Sequence, residues 1–207
     1  MFPRLSSLEQ INWLWLGSFI LVFIWSAINP FDRFTWILEV APAVIGFCVV
    51  IMTRESFRLT PVVYLLILIH CFILMIGGHY TYAEVPLFND FQEIFGLERN
   101  NYDKVGHFAQ GFVPAMIARE LLIRKNVING ALWRNFLIVC FCLAFSAFYE
   151  LIEWWVAIAS GEGAEAFLGT QGYVWDTQSD MGYATAGAIL ALLSLSKRHD
   201  RQLMNLR

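Results

Sequence analysis

Hydrophobic positions in this chain come in long blocks rather than in the short stripes of a soluble amphipathic helix. Six predominantly apolar segments each approach or exceed the roughly 20 residues that carry an α-helix across about 30 Å of hydrocarbon. They are Ile11 to Asn29, Phe34 to Met52, Pro61 to Tyr80, Lys104 to Arg124, Ala131 to Ser160 and Thr177 to Ser196. The pattern predicts an all-α polytopic membrane protein, a single domain over residues 1–207 built as a bundle of six transmembrane helices. No internal repeat, low-complexity tract or long linker divides it. The first segment follows Arg4, is too long for a signal-peptide core and is closed by no small-x-small cleavage site, so it reads as a retained anchor. Between the third and fourth segments, "VPLFNDFQEIFGLE" carries Phe88, Phe91, Ile94, Phe95 and Leu97 at spacings that predict a short helix lying on the membrane surface or capping a cavity.

Composition agrees with the blocks. The chain is 58% hydrophobic and 15% charged, against about 25% charged residues in a soluble domain. Its partner is the lipid bilayer, and at net charge −3 no nucleic-acid partner is expected. With six spans the loops alternate sides. Eleven of the fourteen Lys and Arg, counting Arg119, Arg124 and Arg134 in an inner loop, then fall on the side of the termini, and only Arg33, Arg99 and Lys104 fall on the other. The positive-inside rule makes both termini cytoplasmic. Thirteen of the seventeen Asp and Glu take the opposite side, with Glu120 assigned to the inner loop, so the outer face should attract cations. Cys48, Cys71, Cys140 and Cys142 all lie inside apolar segments and read as small packing residues.

Against that background the polar residues converge at one depth. Asp103 and His107, at i, i+4, open the fourth span from outside. Glu150 and Glu153 share a face near the outer end of the fifth, Asp176 and Asp180 open the sixth, His79 closes the third in "GGHYTY", and Glu39 lies one turn into the second. A carboxylate at the centre of a spanning helix costs roughly 2.5–3.5 kcal/mol on insertion scales, so such groups face a bundle interior or a wet cavity. Their faces continue through Ser146 and Cys142, through Gln110, Pro114 and Ala118, and through Ala184, Gly187 and Ala191; small residues of this kind let helices approach closely. So many carboxylates beside the single cation Lys104 require a bound cation or captured protons. The donor mix favours a divalent metal ion, Mg²⁺, Mn²⁺ or Zn²⁺. Asp103, Glu150, Glu153, Asp176 and Asp180 are the candidate ligands, with His107 and His79 as candidate catalytic acid/base groups. The plainer alternatives are that Asp103 and Asp176 serve as helix caps, that His107 packs in the interior, and that His70, without a partner in the cluster, is structural.

On "HYTY" at 79–82, "NNYDKVGHF" at 100–108, "YELIEWW" at 149–155 and "VWDTQSDM" at 174–181, the chain resembles the YjdF-type family of bacterial inner-membrane proteins. That resemblance implies a six-span protein of the cytoplasmic (inner) membrane and assigns no activity. A weaker similarity links it to VanZ-like membrane proteins through Asp103, Lys104, His107, Phe108, Glu150 and Asp180, which keep that family's order. The doubled Glu-x-x-Glu and the Trp-Asp-Thr-Gln-x-Asp block depart from it.

There is no His-Glu-x-x-His, no Walker A loop and no Gly-x-Ser-x-Gly elbow. Three functions are compatible with the rest. One is a metal-dependent enzyme acting on a lipid-linked or envelope substrate at the outer leaflet. Another is a proton- or cation-coupled transporter, against which stands the expected lack of charge in the inner half of the spans. The third is a structural or accessory subunit.

Overall fold

A computed structural model describes residues 7–160, 165–168 and 170–206; Arg4 and Arg207, two of the charges used for orientation, lie outside them. The elements are α1 (Ser7–Ala27), α2 (Arg33–Thr53), α3 (Pro61–Tyr80), α4 (Pro86–Phe95), α5 (Tyr102–Arg124), α6 (Ala131–Ser160), α7 (Glu165–Leu168) and α8 (Asp176–Met204). The described residues are all helix, turn or loop.

Local chemistry sets the ends. Asp32 caps α2, its carboxylate accepting the Thr35 N–H at 2.7 Å, which holds that carboxyl below the usual carboxylate range. Pro61 and Pro86 occupy first helical turns, where a missing N–H costs nothing. Gly96, at φ 61°, closes α4 in the left-handed conformation. This short helix is the one expected from the Phe-rich loop. Phe88 packs edge-on against Tyr102 at 5.2 Å, while Ile94 and Phe95 stay exposed.

Two elements differ from the sequence pattern. Helix α8 runs on to Met204, past Ser196, because His199 and Leu203, one turn apart, are both buried and that turn has a packing face despite its charges. The short α7 falls where no periodicity is long enough to signal a helix.

Among the described residues three helices, α2, α3 and α6, are by length and composition sufficient to cross a membrane. Helices α5 and α8 are longer than α2 and α3 but too polar for that criterion, and the reason is their position. They form the most extensively packed pair in the molecule, with Ala115, Met116, Ala184, Ala188 and Ala191 fully enclosed. Their polar faces are therefore shielded by protein. The expected small-residue contact occurs, with Ala184, Gly187 and Ala191 on the α8 side; on α5 the contact runs through Gly111, whereas Pro114 faces a cavity. A Cβ added to Gly111 would lie 1.7 Å from the Ala184 carbonyl oxygen, and one added to Gly187 would lie 2.1 Å from that of Phe108. Backbone thus touches backbone, which fixes the register of α5 against α8.

Around this pair, α6 packs on both α5 and α8, α3 packs on α5, and α2 and α1 pack on α3. The Trp15 indole N–H reaches the Tyr64 carbonyl at 2.8 Å. Far from the N-terminal ends of α5 and α8, Arg119, Glu120 and His199 are buried inside the bundle. This corrects the counting of Arg119 and Glu120 in an inner loop: they lie on the α5 face that α8 covers, so the far half of the bundle does contain charge.

Candidate functional site

The start of α5 and the start of α8 are tied together by the loops that precede them. Gln171 and Asn100 exchange two hydrogen bonds, from the Asn100 N–H to Oε1 and from Nε2 to the Asn100 carbonyl, each 2.9 Å. The Asn100 side chain donates to the Val85 carbonyl and to Asn89, and accepts the Tyr102 N–H. Register set by Gly111 and Gly187 below, and these loop bonds above, bring Asp103, Lys104 and His107 of α5 against Asp176 and Asp180 of α8.

Lys104 Nζ sits between the two α8 carboxylates, 2.7 Å from Asp176 Oδ1 and 2.6 Å from Asp180 Oδ1. Arg99 reaches the same Asp176 oxygen at 2.5 Å and Asp103 at 3.5 Å. The expectation of a single cation in the cluster is therefore corrected. Arg99 lies on the loop, but it stands four residues before Asp103, a spacing visible in "RNNYDK" that could have revealed it. Asp176, held by two cations, belongs to neither of the groups in which three donors converge.

Those groups share His107. In one, Asp103, His107 and Asp180 each offer an atom within 4.8 Å of the others; in the second, His107, Glu150 and Glu153 do. Nδ1 of His107 lies 3.0 Å from Gln110 Oε1, an acceptor, so Nδ1 carries a proton and donates it. Nε2 then points at two carboxylate oxygens, Asp103 Oδ1 at 3.3 Å and Asp180 Oδ2 at 3.8 Å. A neutral imidazole would present a lone pair to them, so a cation or a second proton must lie between. On the other flank, Oε1 of Glu150, 3.8 Å from Nδ1, has no hydrogen-bond partner, nor has Ser146 Oγ one turn further along α6. Six carboxylates, from Glu39, Asp103, Glu150, Glu153, Asp176 and Asp180, face two permanent cations, Arg99 and Lys104.

His79 is not brought into this cluster. Its Nδ1 is 2.9 Å from the Ser26 carbonyl of α1 and its ring lies on Trp25 and Tyr80, which makes it an α1–α3 contact. Tyr82, one of the groups not singled out from sequence, fills the space beside Gly77 and Gly106 and lines the cavity with Glu39. Burial, then the neighbouring Glu39 charge, pushes its hydroxyl well above the ordinary tyrosine value, so it is a neutral hydrogen-bond donor at the site's edge.

A cavity of about 390 Å³ begins at this cluster, where Glu39, Asp103, His107 and Glu153 line it, and continues between α2, α3, α5 and α6 as far as Thr53, Phe57 and Leu121. That volume falls within the 300–1,000 Å³ usual for small-molecule sites.

A family model described as "Predicted membrane protein (DUF2238)" matches residues 11–201. The chain belongs to this family. Every residue of the cluster lies within the matched stretch, so the DUF2238 assignment covers the site as well as the helices that carry it. Over 183 residues, 88% of each chain, the sequence is 50% identical to a protein of Escherichia coli (strain K12) named "Inner membrane protein YjdF". No solved structure matches. This member of DUF2238 is thus a membrane protein, and neither comparison names a reaction.

Proposed function

We propose that the protein is a multi-pass enzyme of the bacterial inner membrane, with six spans and both termini cytoplasmic, that uses a divalent metal ion to act on a lipid-linked or envelope substrate at the outer leaflet. The observation that carries this reading is the orientation of His107. An imidazole whose Nδ1–H is fixed by a side-chain amide, and whose Nε2 faces two carboxylates, is the usual arrangement of a metal-ligating histidine with its supporting hydrogen bond. Asp103, His107 and Asp180 would hold the ion; a mixed N/O set suits Zn²⁺ or Mn²⁺, and Mg²⁺ with more oxygen donors. The ion would supply polarisation of a phosphoryl or carbonyl oxygen and activation of water.

The chain's own groups would do the rest. Lys104 fixes Asp180 through one oxygen and leaves the other facing His107. Glu150, with an unpartnered oxygen, and Glu153 flank the same ring and are placed to take a proton from water. Asp176 is a strut, anchoring Arg99 and Lys104.

Metal analysis of detergent-purified protein beside His107→Ala, Asp180→Asn and Glu153→Gln tests this. Stoichiometric metal in the wild type, lost in the first two variants and retained in Glu153→Gln, is expected. Absence of metal after reconstitution with Zn²⁺, Mn²⁺ or Mg²⁺ would overturn it.

One observation favours a second reading, a proton- or cation-coupled carrier: the cavity continues from the cluster toward the opposite end of the bundle. Its far lining is apolar, which argues against passage of an ion. In this case cation flux into liposomes would be pH-dependent and abolished by Glu150→Gln.

A further inference from the structure

The cavity has a graded lining. At the cluster end it is acidic. Deeper, Gln110, one turn past His107, and His70, midway along α3, still offer polar atoms, and His70 Nε2 is shut off from solvent without a hydrogen-bond partner. Beyond these, Gly46, Val50, Ile117 and Leu121 make it hydrocarbon. From Asp103 to Leu121 along α5 is 18 residues, roughly 27 Å at 1.5 Å per residue, close to the ~30 Å of a bilayer's hydrocarbon. The short α7 packs on both α2 and α6. Elsewhere α2 and α6 share no extensive interface, and of the cavity's own lining Val49 on α2 and Phe145 on α6 are exposed apolar side chains. The cavity therefore opens sideways, between two helices whose composition is that of membrane spans.

We propose that this cavity seats one acyl chain of a phospholipid, entering laterally between α2 and α6, with the headgroup at the acidic cluster and a linkage oxygen within reach of His70. The proposal names the substrate class of the site and rests on the reading of that cluster as the reacting centre. The order of the lining is the order of the ligand: charge, then ester oxygens, then hydrocarbon. An ethanolamine head matches the excess of carboxylates, since its ammonium offsets them while the phosphate lies toward Arg99, Lys104 and the metal. A soluble substrate would need none of the inner two-thirds of the cavity.

Gly46 provides the test, because it lines the cavity and a Cβ built on it meets nothing within 4 Å. A large side chain there starts in open space and projects into the path. The probe is a phosphatidylethanolamine carrying a diazirine near the end of one acyl chain, incorporated into vesicles of phosphatidylethanolamine and phosphatidylglycerol around the intact protein. After irradiation the labelled residues are mapped by mass spectrometry. Wild type and Gly46→Ala should be labelled at Val50, Ile117 and Leu121, and Gly46→Trp should lose at least tenfold of that label. Labelling of Leu21 and Ile24, exposed on α1, should be the same in all three and serves as the measure of bulk lipid. Undiminished cavity labelling in a folded Gly46→Trp, or cavity labelling no greater than at Leu21, overturns the proposal. Metal content of the same samples separates the two readings. Gly46→Trp should keep the ion, and His107→Ala should lose it while still labelling the cavity; a protein that never binds metal but labels as expected would refute the enzyme reading and leave the lipid seat standing.

Discussion

Gly111→Ala adds one methyl group, and the structure says where it goes. The new Cβ would lie 1.7 Å from the Ala184 carbonyl oxygen. Cβ contacts below 3.0 Å essentially never occur, and the obstructing atom is backbone, so α5 and α8 must part by at least about 1.3 Å. A parting of that size carried up to the cluster would lengthen the Lys104–Asp180 contact from 2.6 Å to about 3.9 Å, beyond hydrogen-bond reach. Overpacking of this kind costs about 1–3 kcal/mol, and in a chain of this size each kcal/mol corresponds to roughly 2–4 °C in Tm. The control is the same substitution at Gly46, whose Cβ meets nothing; there the entropic advantage of Ala over Gly in a helix, about 0.5–1 kcal/mol, should raise stability. Thermal melts in one detergent, monitored by intrinsic fluorescence, compare the two variants with wild type. Opposite signs are expected, with loss of metal in Gly111→Ala alone. If Gly111→Ala melts with wild type and keeps its ion, the α5–α8 backbone contact does not position the site, and the geometric account of the cluster fails with it.

Two further outcomes follow from charges. Lys104→Met removes the cation held between Asp176 and Asp180 and should cost about 3–5 kcal/mol, as expected when one partner of a buried pair is deleted; adding Asp180→Asn should recover part of this, and strictly additive losses in a double-mutant cycle would show that the pair is not coupled. Asp32→Ala should cost about 1 kcal/mol by loss of the α2 cap. Because the Thr35 N–H lowers the folded-state value of Asp32, the cap's contribution is complete above the unfolded carboxyl value of about 3.9 and fades as pH falls through the lower folded value. The gap in melting temperature between wild type and Asp32→Ala should therefore close between about pH 5 and pH 2, and a gap that widens on acidification would contradict the assignment.

The helices were legible because each apolar block has a length set by the bilayer or by burial. Convergence of Asp103, His107, Glu150, Glu153 and Asp180 was legible for a related reason, since charged groups inside apolar blocks have few places to go. Individual partners were not legible. Whether Nε2 of His107 faces Asp180 depends on the α5–α8 register, and that register comes from Gly111 meeting the Ala184 carbonyl, a contact between residues 73 positions apart. His79 sits at the right depth, but rotation about α3 turns it to Ser26 on α1, and depth alone says nothing about rotation. Arg119 and Glu120 were counted with a loop, although their segment runs to Arg124, because a place near the end of an apolar block does not tell whether a charged pair faces solvent or a neighbouring helix.

That misassigned pair supplies the comparison that gives the outer cluster its meaning. Glu120 accepts hydrogen bonds from the Thr60 N–H and hydroxyl, from Arg124 and from His199. Arg119 donates to Nδ1 of His199 and to Asp200, so His199 must carry its proton on Nε2, which is the nitrogen that faces Glu120. Both imidazole nitrogens and both Glu120 oxygens thus have partners of the right kind, and the network ties the start of α3 to α5 and α8, leaving Arg119 Nε as a buried atom without one. Such a set can stay buried without a ligand. Around His107 the same residue types are arranged differently. Nε2 faces acceptors, Glu150 and Ser146 each hold an unpartnered oxygen, and carboxylates outnumber permanent cations three to one. The far end, Arg119 Nε apart, pairs its polar atoms with fewer charges. The network at the head of the cavity is instead open to a proton, a cation or a ligand.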